Sequence, residues 1–134
     1  HPSYPAAHAT IAGACTTILK AFFDGETPIV SRVDPVEADP KNPKKLKRVI
    51  KDARALTVAN ELDKLASNIA CGRSWAGIHY RSDNTAGLEL GQEIAIRLLQ
   101  EHIQSYHEKG FEGFKLTKRN GKRILITHDA IKEL

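Results

Sequence analysis

Residues 11–22 read IAGACTTILKAF, and apolar side chains recur in this stretch at intervals of three and four residues. That spacing places them on one face of a helix, and the set comprises Ile11, Ala14, Cys15, Ile18, Leu19 and Phe22. Asp24-Gly25 follows, and glycine commonly ends helices because it adopts positive φ without steric cost. The sequence therefore predicts a first helix that begins near Pro5 or His8 and ends at about Phe23.

The same periodicity predicts two further helices, over about 52–71 and about 86–108. Gly72 is expected to stop the first of these, and Gly110 closes the second. The stretch 72–85 between them carries several polar and charged residues and is expected to be irregular. Cys15 and Cys71 are expected to be buried free thiols on helix faces, because two cysteines do not make a disulfide scaffold.

The remaining segments predict a surface connection and one hairpin. Four prolines fall within 24–51, at Pro28, Pro35, Pro40 and Pro43, and they exclude a long helix there. Near the other end, Phe111–Leu116 and Arg123–Thr127 alternate loosely around Asn120-Gly121, a strong hairpin signal. A final short turn of helix is expected over 128–133. The predicted fold class is thus mainly α, with a small C-terminal β-hairpin.

Composition limits the function classes without choosing one. The chain has 134 residues and a net charge of +4, which fits a single domain over 1–134 and is too weak a bias to indicate nucleic-acid binding. No apolar run has the length of a membrane span, so no membrane span is expected. No signal peptide opens the chain and it contains no Met, so we expect a trimmed or partly observed chain. The cellular compartment stays open.

Two polar clusters are candidates for chemistry. One runs from His1 to His8, where His8 starts the first helix and a helix N-terminus favours an anion. The other is Arg73-Ser74-Trp75-Ala76-Gly77-Ile78-His79-Tyr80-Arg81-Ser82-Asp83, in which arginine supplies donors for phosphate-like oxygens. Spacing alone leaves a plainer alternative open, in which His8 caps a helix and His79 fills a turn.

The spacing of Arg73, His79 and Asp83 resembles the last signature of a known superfamily, which joins type 2 phosphatidic acid phosphatases and vanadium-dependent haloperoxidases. Pro5-Ala6-Ala7-His8 stands where that superfamily has Pro-Ser-Gly-His. Further stretches, among them 61–66 and 77–81, resemble the C-terminal part of vanadium-dependent bromoperoxidases from algae and cyanobacteria. The resemblance implies one helical-bundle half of a haloperoxidase-like fold, taken from the C-terminal portion of a longer chain.

The resemblance also implies how vanadate would be held. His79 matches the histidine whose ring nitrogen binds vanadium, and Asp83 matches the carboxylate that orients this ring. Arg73 matches an arginine that hydrogen-bonds the vanadate oxygens, and Ala7 offers a backbone N–H at the same oxyanion. Vanadate is therefore the cofactor that the resemblance implies.

The reaction implied is oxidation of bromide by hydrogen peroxide to hypobromous acid, which then halogenates an organic acceptor. His8 matches the acid–base histidine of this reaction, since imidazole titrates near the working pH. His1 matches the active-site histidine of bromoperoxidases, which tilts halide choice toward bromide.

Two departures from the family pattern keep alternatives open. Ala6-Ala7 replaces Ser-Gly and removes a hydroxyl donor, and the upstream lysine and arginine signature is not found before His1. One alternative is an acid phosphatase of the same superfamily, with His79 as the nucleophile and His8 as the leaving-group acid. The other is a non-catalytic assembly domain. Because a partial helical bundle exposes apolar faces, we expect either a homo-oligomer or a missing N-terminal half to cover them.

Overall fold

The computed structural model describes residues 3–29, 36–48 and 56–134. Within these ranges the chain forms three α-helices, which are α1 (Ala7–Phe22), α2 (Val58–Trp75) and α3 (Arg81–His102). A 3-10 turn at Ile103–Ser105 continues α3. The predicted mainly α class is confirmed, and in this part of the chain no helix is long and apolar enough to cross a membrane.

Five strands complete the described part of the chain. Two of them, β1 (Val36–Asp39) and β2 (Asn42–Arg48), pair as an antiparallel hairpin. The other three form an antiparallel sheet in the order β3-β4-β5, with β3 at Phe114–Thr117, β4 at Arg123–Ile126 and β5 at Ile131–Glu133. The hairpin predicted around Asn120-Gly121 is confirmed as β3–β4, and Gly121 adopts a φ of +83° in its turn.

Helices α1 and α3 pack with their backbones in contact. A Cβ on Gly87 would lie 2.6 Å from the carbonyl oxygen of Ala6, and a Cβ on Gly91 would overlap the carbonyl oxygen of Thr10. Gly13 on α1 faces the backbone of Leu88 in the same way. Glycines at these three positions therefore allow the two helices to approach closely, and this contact holds their N-terminal ends together.

Four of the six residues in the apolar stripe of α1 are exposed and not packed in this contact, namely Ile11, Cys15, Leu19 and Phe22. The buried side of α1 is made of small or polar residues, which are Ala9, Ala12, Gly13, Thr16, Thr17 and Lys20. Ile11 and Phe22 are each 63% exposed, because the close approach of α3 admits only small side chains. The prediction of buried thiols is also wrong, since Cys15 and Cys71 are both free and exposed.

The larger apolar core lies between the end of α3 and the C-terminal sheet. It consists of Ile96, Leu99, Ile103, Phe114, Leu116, Ile124 and Ile126. The helix predicted over 128–133 is wrong, because Ile131 pairs with Ile126 as part of β5. The Thr127 hydroxyl accepts from the Ala130 N–H at 3.1 Å and makes the tight turn that returns the chain to the edge of β4.

The observed ends of the second and third helices differ from the predicted ones. Gly72 lies inside α2 with open space around it, and α2 ends instead at Ala76-Gly77, where Gly77 has a φ of +71°. The irregular stretch predicted over 72–85 is reduced to 76–80, because α3 already begins at Arg81. The predicted beginning of the second helix, at 52–55, lies outside the described residues.

The surface connection predicted over 24–51 contains the β1–β2 hairpin. Prolines exclude a helix but are compatible with turns and edge strands, so their spacing did not exclude strands. Pro40-Lys41 forms the turn, and the Asp39 carboxylate accepts a hydrogen bond from the Lys41 N–H at 2.9 Å. Residues 30–35 and 49–55 are not among the described ones.

Candidate active site

The first turn of α3 is built around the carboxylate of Asp83. Oδ2 of Asp83 accepts from the backbone N–H of Tyr80 at 3.1 Å, and Oδ1 accepts from the Ser82 hydroxyl at 3.1 Å. An acidic side chain in this position satisfies a free N–H of the helix N-terminus. The Tyr80 N–H, with help from Ser82 and His79, lowers the pKa of the Asp83 carboxyl below its usual value, so the group stays ionised near neutral pH.

His79 lies directly before this turn and contacts the same carboxylate. Its Nδ1 is 3.4 Å from Oδ2 of Asp83, and the side chains of the two residues are only 4% and 5% exposed. A carboxylate beside one ring nitrogen favours a proton on that nitrogen, which leaves the lone pair on Nε2. The pair can therefore present Nε2 either as a ligand for a metal centre or as a nucleophile.

The start of α1 is attached to the same turn. The Ala6 N–H donates to the backbone carbonyl of Asp83 at 3.0 Å, and Ala6 is fully buried. Ala7 follows as the first residue of α1, where the helix itself does not use the backbone N–H. The side chain of His8 is exposed on this first turn. The N-termini of α1 and α3 thus meet at Asp83.

Arg73 approaches from the last turn of α2. Its backbone carbonyl accepts from the Ile78 N–H at 3.1 Å, which closes the short connection to His79. Its side chain is half-buried, and within the described residues its buried Nε has no hydrogen-bond partner. Because buried donors are normally satisfied, this Nε is available to an acceptor that approaches the end of α2.

The structure thus brings together three of the predicted features, namely His79, Asp83 and the start of α1 beside Ala7. His8 and Arg73 lie at adjoining helix ends, but neither lines the cleft that contains His79. His1 lies outside the described residues. Across the described ranges no group of three or more His, Cys, Asp or Glu side chains could hold a metal ion.

Two side chains beside His79 were not predicted from the sequence. Arg119, from the β3–β4 turn, and the buried Asn84, from α3, line the same cleft as His79. Arg119 is 36 positions beyond Asp83 in the chain, so no local spacing could connect the two residues. Asn84 follows Asp83 directly, but a single asparagine inside a helix carries no signal of its own.

Comparison with known proteins identifies the family. The chain is 49% identical over 127 residues to a vanadium-dependent bromoperoxidase of Corallina pilulifera, and 47% identical over 127 residues to one of Corallina officinalis. Each alignment covers 94% of this chain and 20% of the relative. A vanadium-dependent bromoperoxidase of Ascophyllum nodosum is 40% identical over 116 residues, which is 87% of this chain and 20% of that relative.

The chain therefore spans about one fifth of the length of these curated relatives. The resemblance to vanadium-dependent bromoperoxidases that the motifs indicate is confirmed by these alignments. Residues 1–109, well over half of the chain, match the family described as the VCPO second helical-bundle domain. The chain belongs to the VCPO second helical-bundle domain family.

Proposed function

We propose that this chain forms part of the active site of a vanadate-dependent bromoperoxidase. The observation that carries the proposal is the buried His79–Asp83 pair at the junction of α1 and α3, in a chain related to such enzymes. The whole-enzyme reaction is the oxidation of bromide by hydrogen peroxide to hypobromous acid, which halogenates an organic acceptor. Residues 1–134 act in it as one domain of a longer polypeptide.

His79 would hold vanadate through Nε2, while Asp83 keeps the proton on Nδ1 and fixes the orientation of the ring. Arg73 would donate to vanadate oxygens with its guanidinium group, whose buried Nε has no partner among the described residues. The backbone N–H of Ala7 supplies a further donor at the first turn of α1. These donors balance the negative charge of an oxyanion without a second metal ligand.

His8 would move protons at this site. Its ring is exposed on the first turn of α1, where solvent can supply and remove protons. When bound, vanadate acts as a Lewis acid that polarises hydrogen peroxide toward attack by bromide. His1 is proposed to favour bromide among the halides, on the strength of the family resemblance alone.

The replacement of the family's Ser-Gly by Ala6-Ala7 fits the packing of this chain. Ala6 belongs to a buried cluster with Ala9, Ala66, Ala70 and Leu88, where a hydroxyl would have to find a partner. The missing hydroxyl removes one side-chain donor, which leaves oxyanion binding to backbone N–H groups and to Arg73 on this side.

The test uses the complete natural polypeptide that contains this sequence. We expect vanadate-dependent bromination with hydrogen peroxide, and we expect His79→Ala to abolish both the activity and the vanadate binding followed by 51V NMR. His107→Ala is the matched control, because His107 is exposed and lies away from the site. A wild-type protein that binds no vanadate would refute the proposal.

The same preparation separates the phosphatase alternative. A phosphatase would hydrolyse p-nitrophenyl phosphate without added vanadate, would be inhibited by vanadate, and would lose this activity in His79→Ala. These observations would replace bromide oxidation by phosphate-ester hydrolysis as the proposed reaction. They would leave the proposed site in place, because the His79–Asp83 pair suits a phosphoryl group as well as vanadate.

One specific observation favours a second role in assembly. Leu90, Ile94 and Leu98 form a stripe on α3 and are 43%, 48% and 54% exposed. On α1, Ile11 and Phe22 of the apolar stripe are also exposed. We propose that association, with another copy or with the remaining polypeptide, covers these faces. Ile94→Glu is expected to weaken association in analytical ultracentrifugation, whereas Glu93→Gln on the same helix leaves it unchanged.

A further inference from the structure

The β1–β2 hairpin carries most of the net charge of the chain. Residues 36–48 include five basic and two acidic residues, whereas the whole chain has 20 basic and 16 acidic ones and a net charge of +4. The hairpin therefore holds three of the four net positive charges. The basic residues are Lys41, Lys44, Lys45, Lys47 and Arg48. A positive charge concentrated on one element attracts an anionic partner to that element.

The hairpin packs little against the rest of the fold. Among residues 36–47, all are exposed except Asp39, which is half-buried. Within the described part of the chain, none of the four lysines forms an ion pair with a carboxylate. A two-stranded hairpin alone is only marginally stable in water. The hairpin therefore offers free ammonium groups and gains stability when a partner packs on it.

The two faces of the hairpin differ in character. Alternation along each strand, together with the pairing of Ala38 and Leu46, places Val36, Ala38 and Leu46 on one face. Leu46 is 73% exposed and Val36 is 45% exposed. Lys45 and Lys47 flank Leu46 in β2 and lie on the opposite face. The hairpin thus presents aliphatic side chains between lysines.

Protection of the strand edges explains only part of this pattern. Lysines on exposed strands prevent edge-to-edge pairing with other chains. That role does not account for Leu46, because an exposed aliphatic side chain favours association. Aliphatic side chains between lysines are typical of segments that lie in the interface of anionic membranes.

A bilayer suits both faces of the hairpin better than a protein surface does. A bilayer accepts Leu46 without the shaped pocket that a protein partner would need. Lysine side chains are long enough to reach lipid headgroups from either face, because their stems extend along apolar surface and keep the ammonium group in the polar layer. A folded acidic protein would contact one face alone.

We propose that the β1–β2 hairpin binds the surface of an anionic lipid bilayer. The face formed by Val36, Ala38 and Leu46 lies at the boundary between the headgroups and the acyl chains. The lysines pair with lipid phosphates and carboxylates. The proposal is independent of the reaction at His79, because no residue of the hairpin belongs to the candidate active site.

The test measures vesicle binding by cosedimentation, with the complete natural polypeptide. We expect binding to vesicles of phosphatidylcholine and phosphatidylserine, and much weaker binding to vesicles of phosphatidylcholine alone. Each lysine near an anionic surface changes the affinity about fivefold. The triple variant Lys44→Gln/Lys45→Gln/Lys47→Gln should therefore bind about 100-fold more weakly than wild type.

A second triple variant controls for general electrostatic attraction. Lys109→Gln/Lys115→Gln/Lys132→Gln removes the same charge from exposed positions outside the hairpin. Its affinity for the vesicles should remain within about threefold of wild type, because lysines away from the membrane contact contribute little to it. Equal losses in the two triple variants would overturn the assignment to the hairpin.

The apolar contact is tested separately by Leu46→Ser. This variant should bind the phosphatidylserine vesicles about five- to tenfold more weakly, because it removes a side chain that the bilayer buries. Glu37→Gln, on the opposite face, should bind at least as tightly as wild type, because it removes a negative charge. The proposal is overturned if Leu46→Ser binds like wild type, or if dextran sulfate binds as tightly as the vesicles, since a soluble polyanion needs only the lysines.

Two further readouts keep the result unambiguous. The midpoint of urea unfolding should be the same in the hairpin variants as in wild type, which separates loss of binding from loss of fold. A wild-type protein that binds neither kind of vesicle would overturn the proposal. If the lysine variant of the hairpin then dissociates from its assembly in analytical ultracentrifugation, the hairpin binds an acidic protein surface instead.

Discussion

At the scale of single residues, the candidate site depends on one carboxylate with several partners. Asp83 accepts from the Tyr80 N–H and the Ser82 hydroxyl, contacts His79 through Oδ2, and offers its backbone carbonyl to Ala6. The side chain thus caps a helix and orients a ring at the same time. A change at this position is expected to affect both stability and activity.

Asp83→Asn is expected to lower vanadate affinity and bromination by about 10- to 100-fold, as the loss of a carboxylate behind a ligating histidine usually does. The asparagine amide does not select the Nδ1–H form of His79 as a carboxylate does. The change should be measured by vanadate titration and by bromination kinetics. Asp129→Asn, at an exposed position, serves as the control, and equal losses in the two variants would contradict this role of Asp83.

The same carboxylate predicts a dependence of stability on pH. The folded state lowers the pKa of Asp83 below its unfolded value, so its contribution to stability is complete above the unfolded pKa. The contribution is lost as the pH falls through the folded pKa. The free energy of urea unfolding should therefore differ most between wild type and Asp83→Asn near pH 7, and the two should converge as the pH falls below the usual pKa of a carboxyl group. A difference that is independent of pH would contradict the assignment.

At the scale of elements, the packing of α3 requires a glycine, whereas the packing of α2 does not. Gly91 of α3 lies where a Cβ would overlap the backbone of Thr10, so the α1–α3 contact requires a residue without a side chain. Gly72 of α2 lies in open space, and no contact needs it. The sequence alone gives no sign of this difference.

Gly91→Ala is expected to destabilise the fold by about 1–3 kcal/mol, because the helices must separate to admit the methyl group. Gly72→Ala is the matched control and should stabilise it by about 0.5–1 kcal/mol, because alanine favours a helix interior. Chemical denaturation of both variants measures the two free energies of unfolding. A shift of the same sign in both would show that helix propensity, and not close packing, decides these positions.

At the scale of the whole molecule, one buried ion pair joins the helices to the C-terminal sheet. Lys20 of α1 is 1% exposed, and its Nζ donates to Oδ2 of Asp63 at 2.7 Å and to the Thr117 carbonyl at 3.1 Å. Asp63 of α2 also accepts from the guanidinium group of Arg119. The backbone N–H of Arg119 donates to the side-chain oxygen of Gln92 in α3 at 2.8 Å. Burial lowers the pKa of Lys20, while Asp63 opposes this shift.

Asp63→Ala is expected to cost about 3–5 kcal/mol of unfolding free energy, because it leaves the Lys20 ammonium buried without its counter-ion. The exposed pair Lys115–Glu112 is the control, and Glu112→Ala should change stability by less than about 1 kcal/mol. Equilibrium unfolding in urea measures both. Comparable losses in the two variants would show that burial of the Lys20–Asp63 pair is unimportant.

Features that depend on neighbours along the chain could be predicted from the sequence. Helical periodicity predicted where α1, α2 and α3 run, Asn120-Gly121 predicted the hairpin, and the four-residue separation of His79 and Asp83 reflected a motif whose members contact each other in the structure. The predicted ends of the helices were less accurate. Gly72 was expected to end α2 but lies inside it, because the residues after it continue the helix. Prolines excluded helix over 24–51 without excluding the β1–β2 hairpin.

Which helix faces are buried, and which residues distant in sequence come into contact, depends on how the elements pack together. Glycines and alanines let α1 and α3 approach until their backbones touch, and this contact buried the small face of α1 and left Ile11 and Phe22 outside. It also joined Ala6 to Asp83, while the C-terminal sheet brought Arg119 to the cleft beside His79. Periodicity reports on one helix or strand at a time, whereas the face of a helix that is buried depends on how closely the backbones of two helices can approach.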